Sequence, residues 1–89
     1  MSKIEIKATE SFYEDLEELT EELQKKTFSK LKLFQKNTNH PSLRVKKIKG
    51  TDYIWEMSIN MQYRVTFQWK NETTIILRRV GTHDILQNP

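Results

Sequence analysis

Two histidines, His40 and His83, and a set of Lys and Arg side chains are the residues here suited to proton transfer or phosphate chemistry. His83 follows Gly81-Thr82 and precedes Asp84. Histidine exchanges protons near neutral pH, and a carboxylate beside it can orient the ring. The same residue can equally be a surface or capping histidine. His40 sits in Asn39-His40-Pro41, so it is a turn residue first and a proton-transfer candidate second. Arg64 falls on the polar side of an alternating segment. It can pair with Glu56 across a hairpin, or clamp a phosphate with its guanidinium fork. Arg78 and Arg79 are adjacent on one strand and so point to opposite faces. Ile75, Leu77 and Arg79 fall on one side, and Arg79 is expected to share a face with Arg64. Lys46, Lys47 and Lys49 are either a solvated patch or contacts for a phosphate backbone.

Several chemistries are excluded. There is no cysteine, hence no disulfide, thiolate site or cysteine nucleophile. With two glycines, Gly50 and Gly81, there is no glycine-rich phosphate loop. Two histidines would need two carboxylates to complete a zinc site, so no metal or cofactor is expected.

The formal charge is +3, but it is unevenly spread. Residues 1–22 carry two lysines against eight acids, residues 23–50 carry nine Lys or Arg and no acid, and the remainder balances. So one-sided a stretch suits a polyanion or an acidic partner, or it is a solvated helix and strand. The opening MSKIEIKATESF is charged and unlike a signal peptide. No apolar run approaches a membrane span. A cytoplasmic location without membrane contact is expected.

These side chains need elements to hold them. The 89 residues are expected to form one domain, residues 1–89. Ile4 and Ile6 alternate with charges, which predicts a strand over residues 3–8. Thr9 or Ser11 can cap a helix, and Ser11-x-x-Glu14 has capping-box spacing. Phe12, Leu16, Leu19 and Leu23 make one apolar stripe, and Phe28, Leu31 and Phe34 a second in a different phase. Two helices follow, about 9–21 and 24–37. A strand is expected from Leu43 to Lys47, then a turn at Lys49-Gly50-Thr51-Asp52. Tyr53, Trp55, Met57 and Ile59, then Tyr63, Val65, Phe67 and Trp69, alternate with polar residues. That predicts a hairpin with one wet face, its aromatic residues in the core. Residues 73–80 form a last strand. The order β-α-α-β-β-β-β is α+β, with helices packed on one face of a mainly antiparallel twisted sheet.

An ordered set of segments then resembles a known family. His40-Pro41-Ser42-Leu43, Ile48-Lys49-Gly50, Ile54 to Ile59, Tyr63 to Phe67, and Arg79-Val80-Gly81-Thr82-His83-Asp84-Ile85-Leu86 resemble the RelE/ParE toxin superfamily. The combination carries the likeness, and the helical hairpin before it extends it over nearly the whole chain. The resemblance implies the toxin of a two-gene toxin–antitoxin pair, neutralised by an antitoxin that wraps it. In the nuclease branch it implies entry into the ribosomal A site and metal-independent cutting of mRNA. The ribose 2′-OH attacks and a 2′,3′-cyclic phosphate is left.

Residue by residue, the resemblance assigns Arg64 to the scissile phosphate and His83 to acid or base work, as in the histidine-using branch similar to YafQ. It makes His40 a loop histidine of that branch. Lys47 and Lys49 become backbone or proton-transfer cations, and Arg79 a supporting cation; Lys46 and Asp84 flank them. The chain departs from the pattern at several places. Ser58 and Gln62 stand about where that branch has another histidine and an aspartate. Gln87 replaces an aromatic residue, and no tyrosine follows Tyr63. The same superfamily includes ParE-like inhibitors of DNA gyrase, and an inactive, antitoxin-binding relative would share the fold.

Overall fold

Thr9 starts the first helix: its backbone is extended and its side chain accepts the Phe12 N–H at 3.1 Å. In the computed structural model, which describes residues 3–89, this helix is α1, Glu10–Glu17. It ends earlier than the periodicity predicts. Thr20 caps α2, Glu21–Lys36, by accepting the Leu23 N–H at 3.2 Å. No glycine is needed at the break, because Gln24 Nε2 donates to the carbonyls of Leu16 and Leu19, at 2.9 and 3.2 Å. Leu16 is in the last turn of α1 and Leu19 in the break itself, so this side chain ties α2 to both. The opening stretch read for a leader includes Met1 and Ser2, which lie outside the described residues.

Five strands form one sheet in the order β1-β5-β4-β3-β2: β1 Glu5–Ala8, β2 Lys46–Lys47, β3 Trp55–Ser58, β4 Tyr63–Asn71 and β5 Thr74–Thr82. β1 runs parallel to β5, and the other pairs are antiparallel. The α+β architecture is thus as expected.

The core lies between the helices and one sheet face. Phe12, Leu31 and Phe34 pack there with Met57, Val65, Phe67, Ile75, Leu77 and Val80. Phe34 meets Phe67 edge-on at 5.3 Å, a favourable arrangement of ring quadrupoles. The buried stripe of α2 is Thr27, Leu31 and Phe34, while Phe28 is 48% exposed. Thr27 can be buried because its hydroxyl donates to the Leu23 carbonyl at 2.8 Å.

Three expectations are corrected. Leu43–Lys47 is not one strand. Pro41–Leu43 forms a 3₁₀ turn, Arg44 takes a left-handed backbone (φ 48°), and only Lys46–Lys47 pairs with β3. Second, Tyr53 lies outside β3 and is exposed. Third, the hairpin has no wet face: Glu56, Ser58, Arg64 and Thr66 are all buried. The chain after β5 folds back as a 3₁₀ segment, His83–Gln87, with Ile85 buried. The Pro89 main-chain oxygen then accepts from Thr66 Oγ1 at 3.0 Å and from Arg78 Nε at 3.1 Å, within that second face.

Candidate functional site

The second face of the sheet carries Arg64, Arg79 and Lys46, placed by the strand register. Ser58 pairs with Arg64, and Arg64 with Gly81. Two residues beyond Gly81 stands His83, the first residue of the closing 3₁₀ segment. Paired residues of an antiparallel ladder share a face. Arg64 is therefore inside the sheet, one step before the chain turns outward at His83.

Arg64 is occupied. Its Nη1 donates to the carbonyls of Asn60 at 2.7 Å and Tyr63 at 3.0 Å, and its Nε lies 3.6 Å from Glu56 Oε1. Both partners of this ion pair have side chains about nine-tenths buried. His83 and Asp84 are exposed, and among the described residues no ion pair joins them. The structure thus brings Arg64 and His83 to one end of the sheet, Arg64 buried and His83 exposed.

Arg79 pairs with Thr66 in the ladder, as expected for the Arg64 face. Its guanidinium is drawn elsewhere. Nε and Nη2 donate to the two carboxylate oxygens of Asp15 on α1, at 2.8 and 3.0 Å. These hydrogen bonds hold its pKa above the ordinary arginine value, against a smaller opposing effect of burial and with the Asp15 charge adding to the rise. A bulge explains what alternation missed. The ladder steps from Thr66↔Arg79 to Phe67↔Leu77, so Arg78 is the extra residue. Val80 thereby joins Ile75 and Leu77 on the core face. Arg78 bonds Gln68 Oε1 and lies 5.7 Å from the Tyr53 ring.

The lysines divide. Lys46 pairs with Glu56, which places it on the Arg64 face, whereas Lys47 pairs with Trp55 and its Nζ lies 5.8 Å from that ring. Lys49 is exposed in the turn before Gly50, whose φ of +88° suits glycine.

His40 belongs to another place. It caps the Pro41–Leu43 turn, its Nδ1 accepting the Ser42 N–H at 3.2 Å with Ser42 Oγ at 2.9 Å. It lines a cleft of about 260 Å³ with Asn39, Arg44 and Trp55. Lys26, Lys30 and Arg44, which the residue-by-residue reading left out, line an adjoining cleft; the run of nine cations was their only signal. Among the described residues no three His, Cys, Asp or Glu side chains are grouped to hold a metal ion, and no helix is long and apolar enough to cross a membrane.

No protein-family model and no curated protein matches this sequence. Solved structures do: the architecture is that of the RelE/ParE toxins. The toxin–antitoxin complex DinJ–YafQ of E. coli matches with a TM-score of 0.77 at 13% identity, over 96% of this chain and 98% of that one. The YoeB dimer of Staphylococcus aureus matches at 0.74 and 17%, over 92% and 99%. The archaeal RelE–RelB complex of Pyrococcus horikoshii matches at 0.70 and 15%, over 91% and 96%. At these identities the likeness is one of fold.

Proposed function

We propose that this protein is the toxin of a toxin–antitoxin pair and cuts mRNA on the ribosome, with His83 as its proton-transfer residue. One observation carries the reading: in a RelE/ParE-like fold, an exposed histidine stands at the sheet end, two residues past the Arg64–Gly81 pair. The chemistry asks little of the protein. The ribose 2′-OH attacks the adjacent phosphorus in line, the bond to the 5′-oxygen breaks, and a 2′,3′-cyclic phosphate forms. One proton leaves the 2′-OH and one reaches the departing oxygen. In this reading His83 handles one of them. Arg64 contributes positive charge from within the sheet, partly offset by Glu56. Lys46 is the exposed cation on the same face.

An antitoxin is part of this reading. Tyr13 and Phe28 are exposed beside Phe12 and Leu31 in a cleft of about 470 Å³ between the helices and β1. Apolar surface of this kind suits a partner.

A second reading, an antitoxin-binding relative without catalysis, is favoured by one observation: Arg64 and Arg79 are both held by carboxylates. Primer extension on mRNA in a purified translation reaction separates the two, with wild type beside His83→Ala. Ribosome-dependent cuts that fall about 10²–10⁴-fold in the variant support the nuclease. Cuts unchanged in the variant remove His83 from the chemistry. No cuts from folded protein support the binding role, or, with gyrase-dependent DNA damage, a ParE-like activity.

A further inference from the structure

His83 is exposed, so packing of its own ring does not fix its place. The backbone that carries it must. That backbone is the 3₁₀ segment His83–Gln87 and the residues after it. It leaves the sheet at Gly81 and Thr82, which pair with Arg64 and Tyr63. Its far end is tied by donors from β4 and β5. Thr66 Oγ1 and Arg78 Nε donate to the Pro89 main-chain oxygen, at 3.0 and 3.1 Å. Arg79 Nη1 donates to the Asn88 carbonyl at 3.3 Å. We propose that Thr66, Arg78 and Arg79 form a clamp on the His83 segment, and that Arg78 is a positioning residue for His83. The inference rests on the nuclease reading above and adds a residue to which that reading gives no role.

The bulge at Arg78 makes the clamp possible. Neighbours on a regular strand point to opposite faces, so Arg78 and Arg79 could not both reach one stretch of chain. The extra residue removes that constraint, and the two guanidinium groups meet adjacent carbonyls. Bulges re-aim side chains in this way beside functional sites.

Arg78 is directed at the tail and not at a substrate. It is half-buried and engaged in three ways. Nε holds Pro89, Nη1 holds Gln68 Oε1 on β4, and the guanidinium carbon lies 5.7 Å from the Tyr53 ring, a cation–π distance. This gives a use to an exposed tyrosine that stands outside β3. Thr66 is fully buried, so releasing Pro89 would strip a buried hydroxyl of its partner. The residues His83–Gln87 form one 3₁₀ segment and tilt together. A clamp just beyond them fixes that tilt, and with it the backbone angles from which the His83 ring projects.

The test compares wild type with Arg78→Ala, Arg78→Lys and Thr20→Ala. Thr20, the cap of α2, is the control for lost stability alone. Backbone ¹⁵N relaxation reads the tail without substrate. Order parameters over residues 83–88 should be about 0.85 in wild type and fall below about 0.6 in Arg78→Ala, with β5 unchanged. Ribosome-dependent mRNA cutting reads the consequence. In Arg78→Ala kcat should fall about 10–10²-fold with KM nearly unchanged, while Thr20→Ala keeps the wild-type kcat. Arg78→Lys keeps the charge but not the guanidinium fork, and should fall between. A tail that stays rigid in Arg78→Ala overturns the clamp. A loosened tail with unchanged kcat overturns the positioning role, as does a fall in kcat that Thr20→Ala shares. A raised KM with kcat unchanged would put Arg78 on the substrate and overturns it as well. Where Arg78→Ala does not fold, Arg78→Lys is read against the same outcomes. No cutting by wild type removes the nuclease and the positioning role together, and the relaxation data then decide the clamp by themselves.

Discussion

Asp15 grips Arg79 with both carboxylate oxygens, and its Oδ2 also accepts the Val80 N–H at 3.2 Å. β1 pairs with β5 only as far as Leu77, so beyond that point β5 has a bare edge. Asp15 of α1 covers it. Asp15→Asn should lower stability by about 1–2 kcal/mol, a charged hydrogen bond discounted for Arg79 being one-third exposed. The urea midpoint should fall with the slope unchanged. The pH dependence has a definite sign. Asp15 raises the Arg79 pKa, so Arg79's share of the stabilisation is complete below the ordinary arginine value. It is lost only as pH rises through the raised one. The difference between wild type and variant, followed from neutral to mildly alkaline pH, should therefore show no loss due to Arg79.

Glu56 and Arg64 form a different kind of pair, buried on both sides. Removing one partner strands the other charge, so Glu56→Ala should cost about 3 kcal/mol, the low end for a buried pair given the 3.6 Å separation. Replacing both, as Glu56→Leu with Arg64→Met, should recover much of that loss in urea unfolding. The proposed role of Arg64 predicts that the recovered double variant still fails to cut mRNA. Restored cutting would make Arg64 structural only.

What the sequence disclosed was periodic, and what it hid was not. Phe34, Met57, Val65 and Phe67 recur at helical or alternate spacing and form the core. Thr27 was hidden because a hydroxyl reads as polar until its bond to Leu23 is seen. The Arg78 bulge was hidden because one extra residue reverses alternation without changing composition. The second face looked wet because Glu56, Ser58, Arg64 and Thr66 are polar, and nothing in their spacing shows that the segment after β5 returns to Thr66. His83 was legible as a candidate, and the charge run announced a basic surface. The left-handed turn at Arg44, which carries that residue to Lys26 and Lys30, has no sequence signal.

The break between the helices offers a simple test of the corrected boundary. If Thr20 is the cap of α2, Thr20→Ala should cost about 1 kcal/mol. For a domain of this size that is a fall of roughly 4–8 °C in Tm. Ser11→Ala, at the capping-box position that the fold does not use, should change Tm little.

Gly81 links stability to the proposed chemistry. A Cβ built there would stand 2.9 Å from Ile85 Cγ2, closer than side chains tolerate. Ile85 is buried and anchors the segment that begins at His83. Gly81→Ala must therefore push that segment off the sheet or strain it, at about 1–3 kcal/mol. The effect on cutting should exceed the effect on folding, since a displacement near 1 Å at a reacting group can cost about 10²-fold. Ile85→Leu moves the branch away from Cβ, so Gly81→Ala with Ile85→Leu should regain stability and part of the activity. Urea unfolding and primer extension on the three variants check this. Activity that merely follows stability across them would mean that the position of His83 does not matter.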